Sequence, residues 1–72
     1  IDFVAEKNGK KMYIQVTWSL DSSEVYDREF GSLLWIKDNW NKYVISMDTH
    51  MIESIENIKH LQAWNYEELF TH

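Results

Sequence analysis

The sequence has no cysteine among its 72 residues, so neither a disulfide framework nor a thiolate metal site can hold it together. Glycine is nearly as scarce. With only Gly9 and Gly31, and no G-x-x-x-x-G-K-[ST] run, no loop can cradle the phosphates of a nucleotide. No apolar run approaches the roughly 18 residues needed to cross a bilayer, and no basic segment leads into an apolar one as a secretory signal would; the expected location is the cytoplasm. Cations are few as well. Seven Lys and Arg against twelve Asp and Glu give a net charge of −5, a sign that repels a phosphate backbone unless the cations are focused. Three of the seven, Lys7, Lys10 and Lys11, do cluster, either as solvated flanks of a turn or as a phosphate contact.

What is present is a rich supply of core. The hydrophobic fraction is 44%, with four Trp, four Tyr and three Phe, well outside the range of chains that cannot collapse. A chain of this length makes one domain at most and must be held by packing alone. It begins with Ile1-Asp2-Phe3-Val4, which already has strand character, so residues 1–72 are expected to be a single partial domain excised from a larger protein.

Residues 1–6 and 11–18 are rich in β-branched and aromatic types, and Asn8-Gly9 between them is a strong hairpin signal because both turn positions need positive φ. A two-residue turn there sets Glu6 opposite Lys11, Val4 opposite Tyr13 and Asp2 opposite Gln15. One face then carries Ile1, Phe3, Ala5, Met12, Ile14 and Val16, and the other Asp2, Val4, Glu6, Lys11, Tyr13, Gln15 and Thr17. For Glu6 the simplest partner is a cross-strand ion pair with Lys11.

Asp21, Ser22 or Ser23 can cap a helix, and Val25, Tyr26, Phe30, Leu33, Leu34 and Lys37 follow at helical spacing, which predicts a helix over about 22–37. Gly31 within it marks close packing against the hairpin or a weak point. Trp35 lies off the stripe and is a candidate contact with a neighbouring element or partner. Arg28 and Glu29 sit beside the stripe, with Arg28 placed to pair with Glu24 four residues earlier. Asp38-Asn39-Trp40-Asn41 reads as a turn, and residues 43–47 as a strand buried on both faces and parallel to the second hairpin arm, the helix forming a right-handed crossover. Periodicity leaves residues 48–62 open between strand and helix. Asn65 with Glu68 resembles a capping box ahead of a short terminal helix over 66–70. The fold class is therefore α/β, a mixed α+β arrangement.

Few constellations could carry chemistry. His50, His60 and His72 have no spacing that pairs two of them on one helical turn with an acid, so surface or core roles are expected. Ser22 and Ser23 are explained by capping. Trp18, Trp35, Trp40 and Trp64 lack the interleaved cations of a base-stacking surface. An acid on one hairpin arm facing Glu-x-Lys on the next is the core of the metal-dependent PD-(D/E)xK phosphodiesterases, whose carboxylates hold divalent cations while the lysine serves the attacking water. The corresponding positions here are Asp2 and Gln15-Val16-Thr17. Gln15 brings a neutral carbonyl where a charged ligand is needed and Thr17 brings no cation. A polar cross-strand pair is the competing reading of Asp2 and Gln15.

The runs IDFVAEK, YIQV, REF and KYVI occur in that order between Ile1 and about Asp48. In this the chain resembles the C-terminal domain of unknown function of prokaryotic AAA-type ATPases, the "ATP-binding protein" group, with a restriction-endonuclease-like fold. The resemblance implies a cytoplasmic domain whose parent carries ATP and Mg²⁺ in a separate N-terminal ATPase module. Gln in place of the acidic ligand is usual in this branch, which implies lost catalysis. Asp2, Gln15 and Thr17 are then degenerate positions, with no catalytic residue expected and no cofactor bound in this fragment. A divalent metal on Asp2 belongs only to the alternative of a DNA or RNA nuclease completed by residues upstream of Ile1. The partner is the chain's own ATPase module, a homo-oligomer is possible, and nucleic acid is disfavoured by charge. Arg28 reaching across to Asp2, as a fixed cation in place of a lost metal, and Trp35 are the interaction candidates. A protein-binding module unrelated to nucleases is the third reading.

Overall fold

The computed structural model describes residues 2–70, apart from the side chain of Lys7; Ile1 and His72, both named above, lie outside the described residues. The hairpin forms as its pattern requires. Strands β1 (Phe3–Lys7) and β2 (Lys10–Val16) are antiparallel, with Val4 opposite Tyr13 and Glu6 opposite Lys11. Asn8 (φ 54°) and Gly9 (φ 78°) supply the two positive φ angles of the turn. The ion pair expected between Glu6 and Lys11 does not form: no charged nitrogen–oxygen contact within 4.0 Å joins them among the described residues. Both side chains are exposed, where ordering two long side chains gains little.

Helix α1 (Ser23–Leu34) begins where Ser22 Oγ accepts the Val25 N–H at 3.4 Å. It stops three residues short of the expected end, because Trp35 caps it and the Ile36 N–H turns back to Leu33 O at 3.1 Å, which lays the half-buried Ile36 against the core. Its stripe is the expected one: Phe30 and Leu33 are buried, and Tyr26 stacks on Phe30 with ring centroids 4.5 Å apart. Gly31 is not a point of close packing, since a Cβ there would meet nothing within 4 Å.

Strand β3 (Asn41–Ser46) runs parallel to β2, with Ile14 beside Tyr43 and Val16 beside Ile45. The open question over 48–62 resolves into an irregular segment followed by strand β4 (Ile58–Gln62), parallel to β3. A tight turn at Glu56-Asn57, with Ile55 and Ile58 exchanging both backbone hydrogen bonds, turns the chain into β4. The last element is a 3₁₀ helix, Ala63–Phe70, kinked at Asn65. At the kink the Asn65 side-chain amide donates to Gln62 Oε1 at 3.1 Å.

The sheet order is β1-β2-β3-β4. Both of its faces are covered, which is why its inner strands are not simply amphipathic. On one face, α1 packs through Phe30 and Leu33 onto Val44, Ile58 and Leu20. On the other, Leu69 of the 3₁₀ helix packs onto Ile14, Tyr43 and Leu61. The architecture is a mixed α+β domain.

Candidate functional site

Side chains alternate along a strand, so the odd-numbered residues Tyr13 and Gln15 of β2 share the α1 face with the even-numbered Lys42, Val44 and Ser46 of β3 and Ile58, His60 and Gln62 of β4. Polar residues on such a covered face must find partners within the protein. Three clusters result, one at each end of the parallel pair β2/β3 and one at its edge.

The edge cluster contains the residues singled out in the sequence. Asp2 and Gln15 are joined, but through the backbone: the Asp2 N–H donates to Gln15 Oε1 at 2.9 Å and the Val16 N–H donates to Asp2 Oδ2 at 2.7 Å. Gln15, only 5% exposed, turns its amide inward and donates from Nε2 to Glu29 Oε1 of α1 at 3.0 Å. Thr17 contributes a backbone N–H to Ile45 O at 2.9 Å, extending the ladder beyond the strand. The cluster therefore closes on itself as a cross-link between Asp2, just ahead of β1, and β2 and α1.

Arg28 does not reach Asp2. Its side chain is 65% exposed and its ion-pair contact is with the adjacent Glu29 at 4.0 Å, rather than with Glu24. Helical geometry places the inward position at Glu29, four residues after Val25 and four before Leu33. That spacing was the signal for its burial, which the apolar stripe alone leaves out. Trp35 is 83% exposed, as its position off the stripe implies, and Trp18 and Trp64 are exposed too.

At the amino-terminal end of β3, Lys42 is buried. Its Nζ donates to Asp38 O (2.9 Å), Asp38 Oδ1 (3.1 Å) and Trp40 O (3.0 Å), and it lies 5.5 Å from the centre of the Tyr13 ring. The Tyr13 hydroxyl donates to Asp38 Oδ2, and this bond, with lesser help from Lys42 and the Trp40 N–H, holds the Asp38 carboxyl below its usual range despite some burial. A lysine in a strand otherwise read as apolar gave no sequence sign of this closed arrangement.

At the carboxyl end, Asp48 and His60 meet through Ser46. Burial alone would raise the Asp48 carboxyl, but the Ser46 hydroxyl (2.6 Å), the Leu20 N–H (2.9 Å) and the Ser19 hydroxyl (3.1 Å) all donate to it and pull it below the ordinary aspartate value. Ser46 Oγ lies 2.7 Å from His60 Nε2, and the Ile52 N–H donates to His60 Nδ1 at 3.3 Å. Nδ1 is thus an acceptor, so in the neutral ring Nε2 carries the proton and donates to Ser46, whose own proton goes to Asp48. That direction is the reverse of what an activated serine needs, and Ser46 is only 1% exposed. The chain Asp48–Ser46–His60 is a structural relay rather than a catalytic triad.

Sharing Asp48 with this relay, a shallow cleft of about 320 Å³ is lined by Trp18, Asp21, Met47, Asp48 and His50 among others. Asp21, Asp48 and His50 bring one ligand atom each within 4.8 Å of one another, a grouping that spacing along the chain does not reveal. Two carboxylates and an imidazole are donors that suit a divalent cation. Asp48, however, already accepts from three neutral donors, and exposed acids commonly gather without an ion. No described helix is long and apolar enough to cross a membrane. Comparison with known proteins finds no family model, no curated protein and no solved structure that matches the chain.

Proposed function

We propose that this chain is a non-catalytic structural and interaction domain of degenerate nuclease type, working in the cytoplasm beside an AAA-type ATPase module. The observation that carries the reading is the Gln15 side chain: a neutral amide, bonded to the Asp2 backbone and to Glu29, occupies the place where a metal-dependent phosphodiesterase needs a charged ligand. Asp2 turns one carboxylate oxygen onto a backbone N–H, and Thr17 brings no cation. An antiparallel hairpin, a helix and a strand parallel to the second arm supports the order of elements that the resemblance implies.

A second reading has one observation in its favour. Glu29 places a buried carboxylate beside Gln15, so Asp2 and Glu29 are two acids near one point, and a nuclease could complete a site from them with further residues. Calorimetric titration with Mg²⁺ and Mn²⁺, together with incubation on DNA and RNA, separates the two. The proposed domain gives no saturable divalent binding and no cleavage. Saturable binding abolished by Asp2→Ala would overturn the non-catalytic reading. For the interaction role, Trp35→Ala is expected to weaken association with the ATPase module while leaving the fold intact. Retained association in that variant would remove Trp35 from the contact and favour a binding module of another kind.

A further inference from the structure

The relay at the carboxyl end of β3 does more than satisfy buried polar groups. Residues 48–57 contain no helix or strand, yet the segment lies against the α1 face of the sheet, with Ile52 and Ile55 packed on the core formed by Phe30, Leu33, Val44 and Ile58. Two side chains of β4 hold its near end. Gln62 Nε2 donates to Asp48 O (3.3 Å) and Thr49 O (2.9 Å), and His60 Nδ1 accepts the Ile52 N–H. The first fastening does not depend on protons. The second does, because a ring nitrogen that accepts a hydrogen bond cannot also carry a proton.

The geometry points to a proton-operated latch: protonation of His60 at Nδ1 removes the acceptor that holds Ile52 and releases the segment beyond Thr49 from the sheet, while Nε2, Ser46 and Asp48 remain joined. The two nitrogens of His60 have unequal fates because their partners differ. Nε2 already donates to Ser46, and a positive ring strengthens that bond and its onward connection to the Asp48 carboxylate. At Nδ1 a new N–H would confront the Ile52 N–H, two donors with no acceptor between them. Opening at Ile52 relieves that confrontation and admits water to the ring.

The charges around His60 set the threshold. Burial, with the residue 3% exposed, lowers its affinity for the proton, the Asp48 charge raises it, and His50 on the released segment lowers it again. Its register partner on β3 is Val44, which carries no charge, and one step along the same face Lys42 and Asp38 are bonded to each other. Helix α1, which covers this face, presents Phe30 and Leu33, and its buried acid Glu29 accepts from Gln15. The net direction is a ring that stays neutral below its ordinary value of 6.5, so the latch is closed at neutral pH and opens on acidification.

Amide exchange and imidazole ¹⁵N shifts of the labelled 72-residue chain, followed from about pH 7.5 to about pH 5, test this directly. After correction for intrinsic exchange, the Ile52 amide is expected to speed up at least about tenfold more than those of Val44 and Leu33, in step with titration at His60 Nδ1. His60→Gln, whose amide can both accept from Ile52 and donate to Ser46, is expected to flatten that response, and His50→Gln to keep it. Equal acceleration at Ile52, Val44 and Leu33 would mean global unfolding and would overturn the latch. So would a flat Ile52 response while His60 titrates, or loss of the response in His50→Gln, a readout that stands even if His60→Gln does not fold.

Discussion

Gln15 Nε2 donates to Glu29 Oε1 across the packing of β2 against α1, at 3.0 Å and with both residues buried. The bond ties the hairpin to the helix beside the main apolar cluster, since Val44 is the register partner of Gln15 and Phe30 follows Glu29. Glu29→Ala leaves a buried amide without its acceptor and is expected to cost about 1–3 kcal/mol, read from urea unfolding. Glu29→Gln, which can still offer a carbonyl oxygen, should recover most of that loss. An unchanged midpoint in Glu29→Ala would show that water replaces the carboxylate without cost.

Gly31 lies in the third turn of α1 with open space where its side chain would be. Nothing must move to accommodate a methyl group, and the helix gains the backbone restriction that glycine lacks. Gly31→Ala should therefore stabilise the domain by about 0.5–1 kcal/mol. Leu33→Ala, two residues away and fully buried, is expected to destabilise by about 2–5 kcal/mol. Thermal unfolding of the two variants measures both signs in one experiment.

These two neighbours show what was legible in the sequence. The hairpin register, the helix stripe and the parallel third strand followed from local patterns: a turn that needs two positive φ angles, an apolar repeat near 3.6, and an apolar run. The adjacency of Asp2 and Gln15 followed from the same register. Lys42 and His60 did not, and the spacing of Glu29 from Val25 and Leu33 marks its inward position but not its partner, because a polar residue on a covered face looks like a break in the pattern until its partner is known. Those partners, Gln15, Asp38 and Ser46, are fixed by tertiary packing or by a local turn. Arg28 illustrates the converse: it neighbours the inward position without occupying it, and the hundred-degree step per residue turns it to solvent.

Glu56 adopts φ 53° at the first central position of the turn that leads into β4. A left-handed conformation costs an ordinary side chain roughly 1–2 kcal/mol, and glycine avoids that cost. Glu56→Gly is expected to raise stability by about 0.5–1 kcal/mol after the loss of unfolded-chain restriction is counted. Chemical denaturation at neutral pH checks it, and a drop in stability would show that the Glu56 side chain has a role beyond the turn.

Both Trp35, which caps α1, and Trp18, which follows β2, are exposed. Neither belongs to an apolar cluster, so replacing either with alanine should change stability by no more than about 0.5 kcal/mol. That independence makes Trp35→Ala a clean probe of association. A large loss of stability in Trp35→Ala, measured on the isolated chain, would show that the indole covers the helix end and would disqualify it as an interaction residue.

Asp48 makes stability depend on acid in a calculable direction. Its carboxyl is held below the ordinary value of 3.8, burial being outweighed by the Ser46, Leu20 and Ser19 donors. The unfolded chain therefore binds the proton more tightly than the folded one does, and the contribution of Asp48 is complete above 3.8 and lost as pH falls through the lower, native value. Asp48→Asn cannot titrate. In urea unfolding measured across the acid range, the variant is expected to be less stable than the parent at neutral pH, because a neutral amide accepts the three donors less strongly and brings an N–H₂ where an acceptor is needed. The difference between the two should shrink below 3.8, where the parent loses its own charge. A difference that stays constant down to strong acid would place the acid sensitivity of the domain on other carboxylates, and Asp48 would then be a hydrogen-bond acceptor whose charge contributes nothing.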